Sequence, residues 1–158
     1  MTSRQTFLLQ RVQPALTGLI DGSLSTIAPI FAVALYTHKP HAAFIAGTAT
    51  AIAAGISMAY SEGLSDTGEL TGRGSPVVRG AITGVGTFTG GILHTLPFLI
   101  PHYRVALILA AAVVAFELVA LAWLRWRFFK TSFVSSLAYV TLAGLVIGGV
   151  SAALGAGG

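Results

Sequence analysis

Apolar positions fall into five long runs, about residues 15–36, 42–63, 78–100, 105–124 and 133–154, with short polar connections between them. A helix needs about 20 apolar residues to cross the hydrocarbon core of a bilayer, and each run meets that length. None keeps the strict alternation of a lipid-facing barrel strand. The pattern predicts an all-α integral membrane protein, with one domain of five transmembrane helices over residues 1–158. Arg4 and Arg11 lead into the first run without a small-residue cleavage site, so the N-terminus reads as part of a span rather than a signal peptide. Pro29 lies inside that run, just after Ser23, Ser25 and Thr26, and predicts a kink or broken turn.

Composition agrees with the pattern. Hydrophobic residues make up 54% of the chain and charged residues 9%, which excludes an ordinary soluble domain. The basic residues then give an orientation. With the N-terminus inside, Arg4, Arg11, Arg73, Arg79, Arg125, Arg127 and Lys130 lie at the cytoplasmic side, and only Lys39 and Arg104 lie outside. The positive-inside bias therefore predicts N-in, C-out. Trp123, Trp126, Phe128 and Phe129 form an aromatic group at the cytoplasmic end of the fourth run. The net charge of +4 follows from this topology and from contact with the lipid bilayer, and implies no nucleic-acid partner. The expected membrane is a bacterial inner (plasma) membrane, with a vacuolar membrane as the alternative.

Five acids interrupt the apolar pattern, and they carry the candidate chemistry. Asp21 lies inside the first run with no basic residue closer than Arg11 or Lys39. A carboxylate at that depth costs roughly 2.5–3.5 kcal/mol on the most lenient scale, so it faces a bundle interior or a water-filled path. Asp21 is thus a cation or proton site, or else an interhelical hydrogen-bond acceptor. Glu62, Asp66 and Glu69 are spaced i, i+4, i+7 and would share a helix face, were Gly63 and Gly68 not there to weaken the helix. They form either a cytoplasmic cation-gathering patch, in which Asp66 and Glu69 assist Glu62, or a solvated loop. Glu117, about two turns before Arg125, is either a functional acid or a side chain reaching for the interface.

The histidines collect at the opposite side. His38, His41 and His102 read as polar loop residues, whereas His94 lies within the third run and needs a partner or water. Met58 lies one turn before Glu62 on the second run and is either helix packing or a ligand, since a thioether beside carboxylates suits Fe(II) and similar divalent ions. The chain has no cysteine, so thiolate metal chemistry and disulfides are excluded.

Three segments carry a resemblance. Gly18-Leu19-Ile20-Asp21-Gly22 is similar to the G-x-x-D-G signature in the first helix of the vacuolar iron transporter family. The run from Ser57 to Ser65, with Met58 and Glu62, resembles the second-helix S-M-x-x-G-E-Y-x-S pattern of that family. The run from Gly90 to Phe98 resembles its third-helix G-x-x-x-P-x-x-P-[FY] pattern, with His94 in place of the first proline. The resemblance implies a dimeric proton antiporter that moves Fe2+, and often Mn2+, out of the cytosol. Asp21 and Met58 would then lie in the metal pathway, with Glu62 at its cytoplasmic end. The short stretch 63–76 replaces the family's cytoplasmic metal-binding domain, and Gln10, Pro14 and Thr50 stand where further acids are frequent.

Two function classes follow. The first is a secondary transporter that exports Fe2+ or Mn2+ against protons, with no permanently bound cofactor and with Glu117 and His94 as secondary candidates. The second is a non-transporting membrane scaffold or accessory subunit with the same fold. No Ser/His/Asp order or H-E-x-x-H motif points to an enzyme. Gly80/Gly84, Gly86/Gly90 and Gly144/Gly148 allow close helix approach, either within the bundle or across a homodimer.

Overall fold

A computed structural model of the chain describes residues 2–156, and all regular structure among them is helical. Helix α1 (Ser3–Phe7) runs through a π-helical turn, Leu8–Val12, into α2 (Gln13–Ser25). After the break at Thr26 come α3 (Ile27–Thr37), α4 (Pro40–Ser65) and α5 (Pro76–Leu93). A 3-10 turn at Leu96–Leu99 leads to α6 (Tyr103–Phe129) and α7 (Phe133–Ala156). Four helical stretches are long and apolar enough to cross a membrane: Ser3–Thr37, Pro40–Ser65, Tyr103–Phe129 and Phe133–Gly155.

The third apolar run departs from its expected form. A continuous helix over 78–100 was expected, but α5 stops at Leu93 and the chain turns at His94 and Thr95. Pro97 has no N–H to offer the carbonyl of Leu93, so the helix cannot continue. The Thr95 hydroxyl meanwhile donates to the carbonyl of Gly91 at 2.8 Å. With its glycines, threonines and the buried Arg79, α5 is not among the four long apolar helices.

Those small residues give α5 its place in the middle of the bundle, packed along α2 on one side and α4 on the other. A Cβ added at Gly22 of α2 would stand 2.0 Å from the carbonyl oxygen of Thr87, and one at Gly90 of α5 would stand 2.7 Å from that of Leu19. On the opposite side, a Cβ at Gly80 would stand 2.5 Å from the carbonyl oxygen of Ala59 on α4. The pairs Gly80/Gly84 and Gly86/Gly90 therefore serve contacts within the chain, where backbones meet without side chains between them. Helix α7 leans on α3 and α6 and leaves most of its apolar surface exposed.

The break at Thr26 has local causes. Pro29 cannot donate to the carbonyl of Ser25, and Thr26 takes a helix-like but looser conformation with φ −90° and ψ −14°. Beyond the break, Ile30 and Ala34 of α3 join Ala43, Phe98, Ala106 and Ala110 in a fully buried apolar cluster. Phe31 closes on Phe98 edge to face at 6.2 Å.

Candidate functional site

Two groups of ionisable side chains stand out, one inside the bundle and one at its end. The inner group is made by three segments far apart in sequence. His94 follows the last residue of α5 and is 0% exposed, and Glu117 lies in the middle of α6 and is 5% exposed. Their side chains meet with Nδ1 of His94 2.9 Å from Oε2 of Glu117. The other ring nitrogen, Nε2, lies 2.8 Å from Oγ1 of Thr26, at the break between α2 and α3. Two helix interruptions and a helix-borne acid thus converge on one point.

The order hydroxyl–imidazole–carboxylate matches that of hydrolytic triads, but the protons run the other way. The Thr26 hydroxyl donates to the carbonyl oxygen of Gly22 at 2.7 Å. That carbonyl can only accept, and a hydroxyl has one proton, so Oγ1 must accept from Nε2–H of His94. A nucleophile would instead give its proton to the ring. Thr26 is also fully buried, and no substrate reaches it in this conformation. Glu117 turns its second oxygen, Oε1, to no hydrogen-bond partner among the described residues.

Both side chains of the pair are buried, with packed layers on either side along the helices. Towards the 38–39 and 100–102 connections lies the apolar cluster around Phe98. Towards the α4–α5 loop runs the close-packed α2–α5 contact with Gly18, Gly22, Gly86 and Gly90.

The second group lies where α4 ends and α5 begins. Arg79 is 1% exposed, and its Nε donates to Oε1 of Glu62 at 2.9 Å. Its remaining nitrogens reach the carbonyl of Gly74 at 2.9 Å, the carbonyl of Asp66 at 3.1 Å and Oδ2 of Asp66 at 3.3 Å. Arg73 in the loop bridges the same acids, at 2.7 Å to Glu62 and 3.1 Å to Asp66. Two carboxylates and two guanidiniums therefore neutralise one another. Burial lifts the Asp66 carboxyl, but hydrogen bonds from Thr71, Gly68 and Arg73 and the charge of Arg79 outweigh it and hold the group below its ordinary value.

The other sequence-derived candidates stand apart from both groups. Asp21 and Met58 are partly buried on α2 and α4, the helices that flank α5, and Glu69 is exposed in the loop. Asp21, Met58 and Glu69 make no side-chain hydrogen bond or ion pair with one another or with the two groups above. Among the described residues, no three His, Cys, Asp or Glu side chains gather as a metal site. His38, His41 and His102 are exposed, and His38 packs against Tyr103 with ring centroids 4.9 Å apart. The face that would align Glu62, Asp66 and Glu69 does not form, because α4 ends at Ser65 and Asp66 is extended.

Sequence reasoning missed Thr26, Arg73 and Arg79 as site residues. Arg79 carried a usable signal: it lies inside the third apolar run, where a buried guanidinium demands an acid. Thr26 had a weaker one, a hydroxyl four residues after Gly22 and next to a proline break. Comparison with protein-family models, with curated proteins and with solved structures yields no match to this chain.

Proposed function

We propose that the chain is a proton-coupled secondary transporter that moves a divalent metal, Fe2+ or Mn2+, out of the cytosol. The observation that carries this reading is the His94–Glu117 pair, an ionisable couple sealed inside an apolar bundle where two helices stop. Ionisable groups at that depth are expensive, and they are characteristic of ion and proton paths. Broken helices that meet near the bundle middle are the usual construction of a transporter site. In this reading α5, enclosed by α2 and α4, is a fifth crossing segment, and the α4–α5 loop faces the cytosol as the basic residues require. Asp21 and Met58 serve the cargo path, completed by a second copy of the chain.

The test is Fe2+ and Mn2+ flux in proteoliposomes with and without an imposed pH gradient. Flux that follows the gradient supports the reading. Asp21→Asn should remove most of that flux while the protein still folds, and wild-type rates in the variant would take Asp21 out of the path.

One observation favours a second reading, a non-transporting scaffold. Arg73 and Arg79 both hold Oε1 of Glu62 and Oδ2 of Asp66, and no three ligating groups gather among the described residues. A folded protein that moves neither metal under any gradient would select that reading.

A further inference from the structure

We infer that Thr26, His94 and Glu117 form an occluded binding site for one exchangeable proton, whose loss is transmitted to the α2–α3 break through a change of histidine tautomer. The inference rests on the transporter reading for the use made of the proton, but the proton count comes from geometry alone. Thr26 commits its hydroxyl proton to Gly22, so Nε2 of His94 carries a proton. Nδ1 and Oε2, 2.9 Å apart, then need one further proton between them. Whether it rides on nitrogen or on oxygen, the couple is neutral, which suits its burial.

If that shared proton leaves, two acceptors face each other at 2.9 Å inside the bundle. The arrangement has one local escape. The Nε2 proton is given up and Nδ1 takes one, restoring a bond to the Glu117 carboxylate. Nε2 is now an acceptor, and Thr26 must swing its hydroxyl proton from Gly22 to the ring. Atoms and charge balance: one proton leaves, and one negative charge remains on Glu117. The cost falls on the carbonyl of Gly22, which loses its bond from Thr26 next to the Pro29 break. Oε1 of Glu117, with no partner among the described residues, is where the added charge can find a new one. The proton thereby acts on the break that divides α2 from α3.

Among the described residues, no other charged side chain bonds to the couple. On the packed elements the nearest in sequence are Asp21 on α2, five residues before Thr26, Arg79 on α5, fifteen before His94, and Arg125 on α6, eight after Glu117. Helices α3 and α7 bring only the exposed Tyr36 and Tyr139, and α4 brings His41, Tyr60 and the ion-paired Glu62. Among the described residues none of these bonds to His94 or Glu117.

The experiment is nitrogen NMR of histidine-labelled protein in bilayers, from about pH 5 to about pH 9, a range that brackets the ordinary imidazole value near 6.5. His94→Gln assigns the signal. The expected result is Nε2–H with a shared Nδ1 proton at the acidic end and a neutral Nδ1–H ring at the basic end. Thr26→Val should displace the midpoint several-fold in proton concentration, and Thr26→Ser should restore it. A ring that stays Nδ1–H throughout, or a midpoint unmoved in Thr26→Val, overturns the inference. The metal-flux assay separates the two readings. Titration without flux removes the transporter and keeps the proton site, whereas gradient-driven flux with no titration removes the proton site and keeps the transporter.

Discussion

The inner pair and the end cluster use the same chemistry, carboxylates held against nitrogen cations or imidazole, and put it to opposite ends. In the cluster, two acids and two arginines tie α4 to α5, which are neighbours in sequence across a short loop. Every charge has more than one partner, and the loss of one contact leaves others. In the inner pair one acid, one imidazole and one hydroxyl join α6, the end of α5 and the α2–α3 break, and each bond is the only one of its kind. Redundancy marks a staple. A single-copy bond across distant elements, with one unshared oxygen, marks a part that can change state.

The largest expected effect follows from that lack of redundancy. Glu117→Ala leaves His94 buried without its partner, and removal of one member of a buried pair costs about 3–5 kcal/mol. The double variant His94→Leu with Glu117→Met should recover most of that loss, since well-packed apolar replacements of buried pairs are often neutral or better. Chemical unfolding in detergent measures both. A double variant as unstable as the single one would make the pair a structural anchor and erase the contrast with the end cluster.

Much of the architecture was legible in the chain. Four of the five apolar runs are long helices, and Pro29 marks the broken first one, because hydropathy and proline act locally. The third run was read too long because its apolar average hid Pro97, which ends α5 at Leu93. The site was legible only in part. His94 and Glu117 are each legible as ionisable groups in a span, yet they lie 23 residues apart and their pairing depends on how the end of α5 faces α6. Thr26 lies 68 residues from His94, and no local pattern joins them. The grouping of Glu62 with Asp66 was anticipated, but as a cation collector. The positive-inside pattern accounts for Arg73 and Arg79 by topology, and so does not mark them as counter-charges.

A middling effect is expected at the end cluster. Arg79→Met keeps the aliphatic length and removes hydrogen bonds to a charged group, each worth about 1.5–3 kcal/mol. Arg73 still holds Glu62 and Asp66, so the loss should stay near the lower end, about 2 kcal/mol. Metal flux under a pH gradient should persist in this variant if the cluster is a staple. Loss of flux in a stable Arg79→Met protein would give the cluster a direct part in transport.

The smallest expected effect is the acid response of Asp66, and its sign is fixed. Its folded carboxyl titrates below the ordinary value of 3.8. The bonds that hold it there therefore add stability that is complete above that value and is lost as pH falls through the folded one. Asp66→Asn cannot lose what it never had. Thermal unfolding in detergent at about pH 7 and about pH 3, a span that crosses the ordinary aspartate value, should show a slightly larger acid loss for wild type than for the variant. The two proteins differ only at residue 66, so the difference between their acid losses isolates the Asp66 carboxyl. Equal acid losses would mean that Asp66 is held by the loop rather than holding it. The staple would then reduce to the bonds that Glu62 makes with Arg73 and Arg79.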